Sequence, residues 1–470
     1  MIEMKIHDCL KAIDGELLSG AEDRTFRGVS IDSRTLNAGE LFFCIRGDRF
    51  DGHNFLQNAV KKKAAGVVVS DRTKTPSEQN KQAPPVICAN DTLTALQELA
   101  RFHREQIPVR VVGVTGTNGK STTKEMIASI VKMKFKTLKT RGNLNNHIGL
   151  PLNLFHLSKN DQVAVLEMGM SATGEIKRLT EIAQPEIGVL TNISEGHLEQ
   201  LKTLKDIQTA KGELYDSLSE QGTAVVNADD PLVLELAKSV RAKVITYGIH
   251  KDADVRAEDI RPRDKEGFDF TVRLFDQTIS THLPFIGSCN IYNALAAMAT
   301  GYSLGLGPED MKAGLNNCAL LSQRHEITKL KGVTVIDDAY NANPRSMLEA
   351  MKTLAQYPCE GRRFLVIGDM LELGKLAEPA HRQLGTQVGA LSIDYLVTVG
   401  EFSALAALGA ADAGMDRKRI ASATERKCAV AFLKKHVRPG DCLLVKGSRG
   451  SNMEEVVNSL AEEIVSGGGS

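Results

Sequence analysis

Short runs of β-branched and apolar residues recur along the chain, at 109–114, 163–166, 187–190, 223–226, 333–336, 364–367, 395–399 and 442–445. Each is followed by a polar or glycine-rich turn and then by a stretch whose apolar positions repeat with helical spacing. The runs are nearly continuous rather than alternating, which is how strands covered on both faces by crossover helices read. The pattern therefore predicts a mostly parallel α/β architecture. Such folds bind ligands at the carboxyl ends of their strands. Several runs end in chemically loaded residues: Gly116 to Ser121, Glu167, Thr191-Asn192, Asp337-Asp338, Gly368-Asp369 and Lys446 to Arg449. A site assembled from several strand ends is the most economical reading.

At about 150 residues per domain, 470 residues predict roughly three domains. Pro108 precedes the first strong strand, the polar segment 71–83 interrupts the region before it, and a second break falls near 316–324. The expected domains are 1–107, 108–320 and 321–470, with a glycine-rich tail at 466–470 that is flexible by composition. The 58 basic and 58 acidic residues cancel, which argues against a general nucleic-acid binder. A hydrophobic share of 42% and a charged share of 25% are those of an ordinary globular protein. No apolar run approaches the roughly 18 residues of a membrane span, and the start lacks a signal-peptide core. A cytoplasmic protein with no membrane insertion is expected. The cysteines at 9, 44, 88, 289, 318, 359, 428 and 442 form no Cys-x-x-Cys pair, so reduced, mostly buried thiols are expected.

The most specific motif follows the run 109–114: Thr115-Gly-Thr-Asn-Gly-Lys-Ser-Thr122, ahead of a helix with Ile127, Ile130 and Val131 on its apolar face. Gly116 and Gly119 let backbone N–H groups of Thr117, Asn118 and their neighbours converge on phosphate oxygens at a helix N-terminus. Lys120 would offset phosphate charge and the Ser121 hydroxyl would ligate Mg²⁺, with Thr122 beside it. Val114 stands where the longer G-x-x-x-x-G-K-[ST] pattern needs glycine, leaving the shorter G-x-x-G-K-S. A plain glycine-rich turn would explain the glycines but not Lys120-Ser121.

Two further residues suit a divalent ion beside a triphosphate: Glu167 at a strand end and His197 in the loop 191–199. Read singly, Glu167 could equally be a salt-bridge partner and His197 a helix-start residue. Lys211, in Thr-Ala-Lys-Gly-Glu213, could be a solvated helix lysine near Glu213; pushed towards neutrality, it could instead add CO₂ as a carbamate.

Further segments complete the picture. The first domain has Asp32-Ser-Arg34, Gly39-Glu-Leu-Phe-Phe43 and Asp51-Gly-His-Asn-Phe55; the centre has Gly142-Asn-Leu-Asn-Asn-His-Ile-Gly-Leu-Pro151 and Glu167-Met-Gly169. The last domain has Asp337-Asp-Ala-Tyr-Asn-Ala-Asn-Pro344, Gly368-Asp-Met-Leu-Glu-Leu-Gly374 and Lys446-Gly-Ser-Arg449. With the phosphate loop, these resemble the Mur ligase family over almost the whole chain, most closely its dipeptide-adding branch.

The resemblance implies a small α/β UDP-binding domain, a central parallel-sheet ATPase-like domain and a Rossmann-like C-terminal domain. It implies an ATP-dependent, ADP-forming ligase adding D-alanyl-D-alanine to UDP-N-acetylmuramoyl-tripeptide through an acyl phosphate, acting as a monomer. Siblings adding diaminopimelate, lysine or glutamate, or a nucleotide-gated regulatory module, are the alternatives. It implies two Mg²⁺ sites, with Ser121 and Glu167 at one and His197 and a CO₂-derived carbamate on Lys211 at the other. Asn293, Arg324 and Asp338 are implied at ATP. Substrate contacts are implied at Ser33, Arg34, Asp51, Gly52, His53, Asn145, Asn146, Tyr340, Asn341, Asn343, Lys446, Ser448 and Arg449. Two positions depart from the family pattern: Cys289, where a histidine is common before Asn290 and Asn293, and Arg345 after Asn343-Pro344.

Overall fold

The computed structural model describes residues 2–47, 49–74, 84–196, 198–263, 265–319 and 321–466, with side chains of the last helix described to residue 462. His197, part of the polar segment 71–83, Leu320 at the expected domain limit and the tail residues 467–470 lie outside the described residues.

All eight predicted strands form, and they sit in the middles of two large sheets. Among the described residues the central sheet has nine strands. From one edge its order is Gln277–Leu283, Phe268–Leu274, Val255–Pro262, Lys243–Gly248, Thr223–Asn227, Ile187–Leu190, Arg110–Thr115, Val163–Glu167 and Thr137–Lys139. The inner strands are parallel and buried on both faces. Val112, Val114, Val163, Val165, Val189 and Val225 pack under the helices Lys120–Val131 and Cys289–Ser303. Val111, Ala164, Leu166, Ala224 and Val226 face the opposite layer, with Leu179, Ile207 and Leu214. Each strand thus spends its alternate side chains on two different helix layers, which is why no hydrophobic alternation is visible in the sequence.

The last domain carries a six-stranded sheet in the order Glu326–Leu330, Val333–Asp338, Cys442–Lys446, Arg363–Gly368, Tyr395–Val399 and Ile420–Ala423. The first domain has a five-stranded sheet ordered Glu16–Ser19, Val86–Cys88, Gly66–Val69, Leu41–Phe43 and Val29–Ser30, plus the two-stranded Glu3–Lys5 with Thr25–Arg27. Its Phe26, Phe43, Leu96 and Leu99 belong to the same apolar cluster as one face of the central sheet, so the two domains share a core.

The large sheets are mostly parallel, as the sequence predicts, with antiparallel pairing confined to their edges. The central sheet ends in the antiparallel strands 255–283, and each of the other large sheets carries one antiparallel edge pair. In Phe268–Leu274 and Gln277–Leu283 every second residue is buried, the mark of a sheet covered on one face only.

Register aligns the chemistry. Glu167 pairs with Val114, Leu190 with Thr115, and Asp338 with Lys446, so these strand ends lie side by side. Among the described residues no helix is long and apolar enough to cross a membrane. All eight cysteines are free thiols, and burial pushes those of Cys9, Cys44 and Cys442 up to about 12.

Candidate active site

The strand Arg110–Thr115 runs directly into the glycine-rich loop, and the helix Lys120–Val131 begins as the loop closes. Gly116 has φ +143°, and a Cβ there would lie 1.9 Å from Thr191 Oγ1. Gly119 caps the helix at φ +83°, and its Cβ would lie 2.5 Å from Asn293 Oδ1. Both glycines are therefore demanded by conformation and by the closeness of neighbouring strands and helices. The loop is pinned at Asn118: its carbonyl accepts from Thr191 Oγ1 (2.6 Å) and Asn192 Nδ2 (2.9 Å), and its N–H donates to Asn192 Oδ1 (3.1 Å).

This loop forms one wall of a cavity of about 810 Å³ between the central and C-terminal domains. Lys120, Ser121, Thr122, Asn145, Asn146, Glu167, Lys211 and Asn293 line it from the central domain; Arg324, Asp338, Tyr340, Asn341, Asn343 and Lys446 line it from the last. Strand ends from two sheets thus meet, as the sequence predicted. Gly368-Asp369 does not join them. Asp369 Oδ1 instead accepts from Ser403 N (2.7 Å) at the start of the helix Ser403–Asp412. Asp337 points to the other face of its strand, where burial raises its carboxyl to about 6.

The ionisable groups of the cavity are held in unequal states. Lys120 Nζ folds back onto the carbonyls of Gly116 (2.8 Å) and Thr117 (3.0 Å), and burial lowers its affinity for a proton, Glu167 opposing. Lys211 is 2% exposed, so the solvated-lysine reading fails: its helix turns it inwards, and Nζ donates to Gly116 O at 3.0 Å. Burial, with Lys120 nearby, holds its pKa well below the ordinary lysine value. Glu213 is not its partner; that carboxylate accepts from the backbone N–H groups of Gly174 and Lys177.

Glu167 forms no salt bridge with Lys211 or any other described cation. Its Oε1 accepts from Asn145 Nδ2 at 2.8 Å, while Oε2 is buried with no hydrogen-bond partner. That orphaned oxygen, on a residue that lines the same cavity as Ser121, fits a divalent cation. Among the described residues no cluster of three His, Cys, Asp or Glu could hold a metal.

Across the cavity, Arg324 Nη2 donates to Ser121 Oγ at 3.0 Å, and its guanidinium lies 4.1 Å from the centre of the Tyr340 ring. Lys446 Nζ sits 2.6 Å from Asp338 Oδ2 and donates to Asn341 O at 2.9 Å. Burial works to raise Asp338, but His325 and Lys446 outweigh it and keep the carboxyl below its usual value. Asn293 Oδ1 accepts from Thr123 Oγ1 (3.1 Å) and Nδ2 donates to Asn290 Oδ1 (3.0 Å), fixing the amide above the loop.

Ser33, Arg34, Asp51, Gly52 and His53 do not reach this cavity; they lie on the first domain. The His53 ring is wholly buried, with Nδ1 2.6 Å from Asp51 Oδ1 and Nε2 accepting from Ser70 N at 3.0 Å. Ser448 is also committed internally, its Oγ accepting from Leu371 N at 2.8 Å, and Arg449 faces solvent beside Gln323.

Several lining residues were not singled out. Asn227 ends the strand Thr223–Asn227 and Asp229 follows it, so the strand-end rule could have found them. Ile260 and Phe268 come from the antiparallel edge, Ile249 from the turn before it, and His325 and Glu349 from the last domain; no sequence signal marks them as cavity residues, whereas Arg345, noted as a departure from the family pattern, also lines the cavity.

The family model described as Mur ligase middle domain matches residues 114–301, that described as Mur ligase, glutamate ligase domain matches 323–449, and that described as Mur ligase family, catalytic domain matches 25–111. The UDP-N-acetylmuramoyl-tripeptide–D-alanyl-D-alanine ligase of Bacillus subtilis is 38% identical over 99% of this chain and 100% of its own length. The Escherichia coli enzyme of the same name is 36% identical over 98% and 99%. A crystal structure of MurF from Acinetobacter baumannii superposes with a TM-score of 0.90 at 30% identity, covering 98% of this chain and 99% of that one. MurF ligase from Thermotoga maritima in complex with ADP gives 0.81 at 27%, covering 94% and 98%. With matched domains in the same order, end-to-end relatives and a phosphate loop facing a second domain, the chain belongs to the Mur ligase family.

Proposed function

We propose that the chain is the ATP-dependent, ADP-forming ligase that adds D-alanyl-D-alanine to UDP-N-acetylmuramoyl-tripeptide in peptidoglycan precursor synthesis. The observation that carries the reading is that Arg324 of the last domain reaches Ser121 of the phosphate loop, closing one cavity around both sets of strand ends. End-to-end identity to ligases of that name supports the choice of substrates.

In this reading the tripeptide's terminal carboxylate attacks the γ-phosphorus of ATP. The P–O bond to ADP breaks and an acyl phosphate forms. The amine of the dipeptide then attacks the acyl carbon and loses a proton, and phosphate leaves as the amide forms. Lys120 swings from the carbonyls of Gly116 and Thr117 onto phosphate oxygens, and Arg324 faces the same charge from the other side. Asn293 and Asp338 hold the nucleoside end, and Asn145 aims Glu167. Ser121 and the free Glu167 oxygen would hold Mg²⁺, which supplies charge neutralisation on the phosphates. Water would hydrolyse an acyl phosphate, so the interdomain position of the cavity serves the chemistry.

Lys211 is assigned as the carbamate lysine. Its neutral amine lone pair attacks CO₂, the N–C bond forms, and the displaced proton leaves to solvent; the buried, lowered pKa keeps that lone pair available. The resulting carboxylate, with His197, would serve the second ion. Residues 1–107 are assigned to the UDP end of the precursor, with Arg34 an exposed cation paired with Asp32, and Tyr340, Asn341, Asn343 and Lys446 to the last domain's share of substrate and closure. We place the enzyme in the cytoplasm, where nucleotide-linked precursors and ATP are available, and as a monomer, since the chain's own domains complete the cavity.

The test is ADP release with a panel of UDP-muramyl peptides crossed against D-alanyl-D-alanine and free amino acids. Release that needs both the tripeptide precursor and the dipeptide is expected; release with ATP alone would refute ligase activity.

A further inference from the structure

The turn before the helix Pro344–Gln356 touches the central domain at two points. At the first, Asn343 Nδ2 donates to Asn118 Oδ1 at 2.7 Å, and Asn118 Nδ2 donates back to Asn343 Oδ1 at 3.3 Å. At the second, Arg345 Nη1 lies 3.2 Å from Asp230 Oδ2. Both partners on the central domain are immobilised. The Asn118 backbone is pinned to Thr191 and Asn192, and Asp230, 2% exposed, also accepts from Ile193 N, Leu232 N and Val233 N. The C-terminal side is equally stiff: Asn343 caps its helix by accepting from Ser346 N at 2.9 Å, and Pro344 fixes the first helical residue.

Asn118 stands between Gly116 and Gly119 in the phosphate loop, so its amide ties the turn at Asn343 directly to that loop. Arg345 is 44% exposed and its ion pair is of the weak, screened kind, which leaves the reciprocal amide pair as the directional contact. We propose that Asn343 is a positioning residue that reads the phosphate loop through Asn118, coupling nucleotide occupancy to docking of the domain that carries Arg324, Asp338 and Lys446. The coupling rests on the ATP reading given above.

The experiment is a double-mutant cycle in the full chain. Asn118→Asp keeps the 2.7 Å bond, and Asn343→Asp keeps both the 3.3 Å bond and the helix cap. The double variant faces two carboxylates with no N–H between them. Asn118→Asp also sets a carboxylate in the phosphate loop and should raise KM for MgATP by itself, but the double is expected to raise it at least about threefold beyond the product of the two singles, with kcat changed far less. In the absence of ligand, a donor–acceptor dye pair across the two domains should report separation only in the double variant. A double effect equal to the product of the singles, or an unchanged dye distance, would overturn the clamp.

If melting shows the double variant unfolded, Asn118→Ala with Asn343→Ser decides. Either change alone already breaks the pair, so the double should be no worse than the stronger single, and multiplying effects would overturn the proposal. A wild-type chain that does not saturate with MgATP refutes the functional reading instead, and the ligand-free dye distance still judges the clamp.

Discussion

Lys211→Ala separates a structural lysine from a chemical one. The side chain is buried, and its amine donates one hydrogen bond, to Gly116 O at 3.0 Å. That carbonyl also accepts from Lys120 at 2.8 Å, so the substitution leaves no orphaned acceptor. Truncation removes three methylenes beyond Cβ, worth about 0.8 kcal/mol each. Relief from burying an amine offsets part of this, and a net loss of about 1–2 kcal/mol is expected. Such a loss leaves the chain folded. Turnover, in contrast, is expected to fall on the order of 10²- to 10³-fold, the scale of losing one charge-stabilising group in a reaction centre. ADP release under saturating substrates reads the second quantity, and urea unfolding the first. Formate, acetate or propionate should partly restore turnover, because the space vacated by the side chain admits a small carboxylate where the carbamate stood. Turnover within about threefold of wild type, or a crippled variant indifferent to every acid, would refute the carbamate assignment.

Lys120→Ala should lower turnover by roughly 10²- to 10³-fold with little change in unfolding, and normal ADP release would refute the phosphate-loop assignment. Gly116→Ala places a Cβ 1.9 Å from Thr191 Oγ1 at φ +143°, so ATP titration should show binding lost; affinity within about threefold of wild type would refute the strain argument. Asp337 has a folded pKa of about 6 against the usual 3.8, so the native state binds more protons between those values and Asp337 destabilises increasingly as pH rises through them. Asp337→Asn should therefore stabilise the C-terminal domain at pH 7.5 by up to about 3 kcal/mol, the advantage shrinking towards pH 4; a pH-independent difference in urea unfolding would contradict this.

The parallel strands were legible because burial on both faces writes a continuous apolar run, and their order in space then followed from packing that sequence does not encode locally. The antiparallel edge 255–283 was harder to see. Its first strand carries exposed Glu258, Asp259 and Arg261, and in a chain searched for continuous runs such segments read as loops. The shared core of the first two domains was equally hidden, since Phe26 and Phe43 reach the central cluster through folding rather than through spacing along the chain.

For the site, legibility depended on whether a residue's role arises locally. Gly116, Gly119, Lys120 and Ser121 act through one loop and its helix, so their spacing alone announces a phosphate cradle. Lys211 shows the opposite case. Its neighbours in sequence suggest a solvated helix lysine, and only the inward face of the helix Leu204–Asp216 turns it into a buried, proton-poor amine against Gly116. Asn118 and Asn343 stand in motifs the sequence shows, but the bond between their side chains lies outside local logic, because it forms only where the two domains meet. Residues whose chemistry is created by docking are the ones a substitution can silence without unfolding either domain. That separability is what allows Asn118 and Asn343 to be tested apart from the stability of the parts they join.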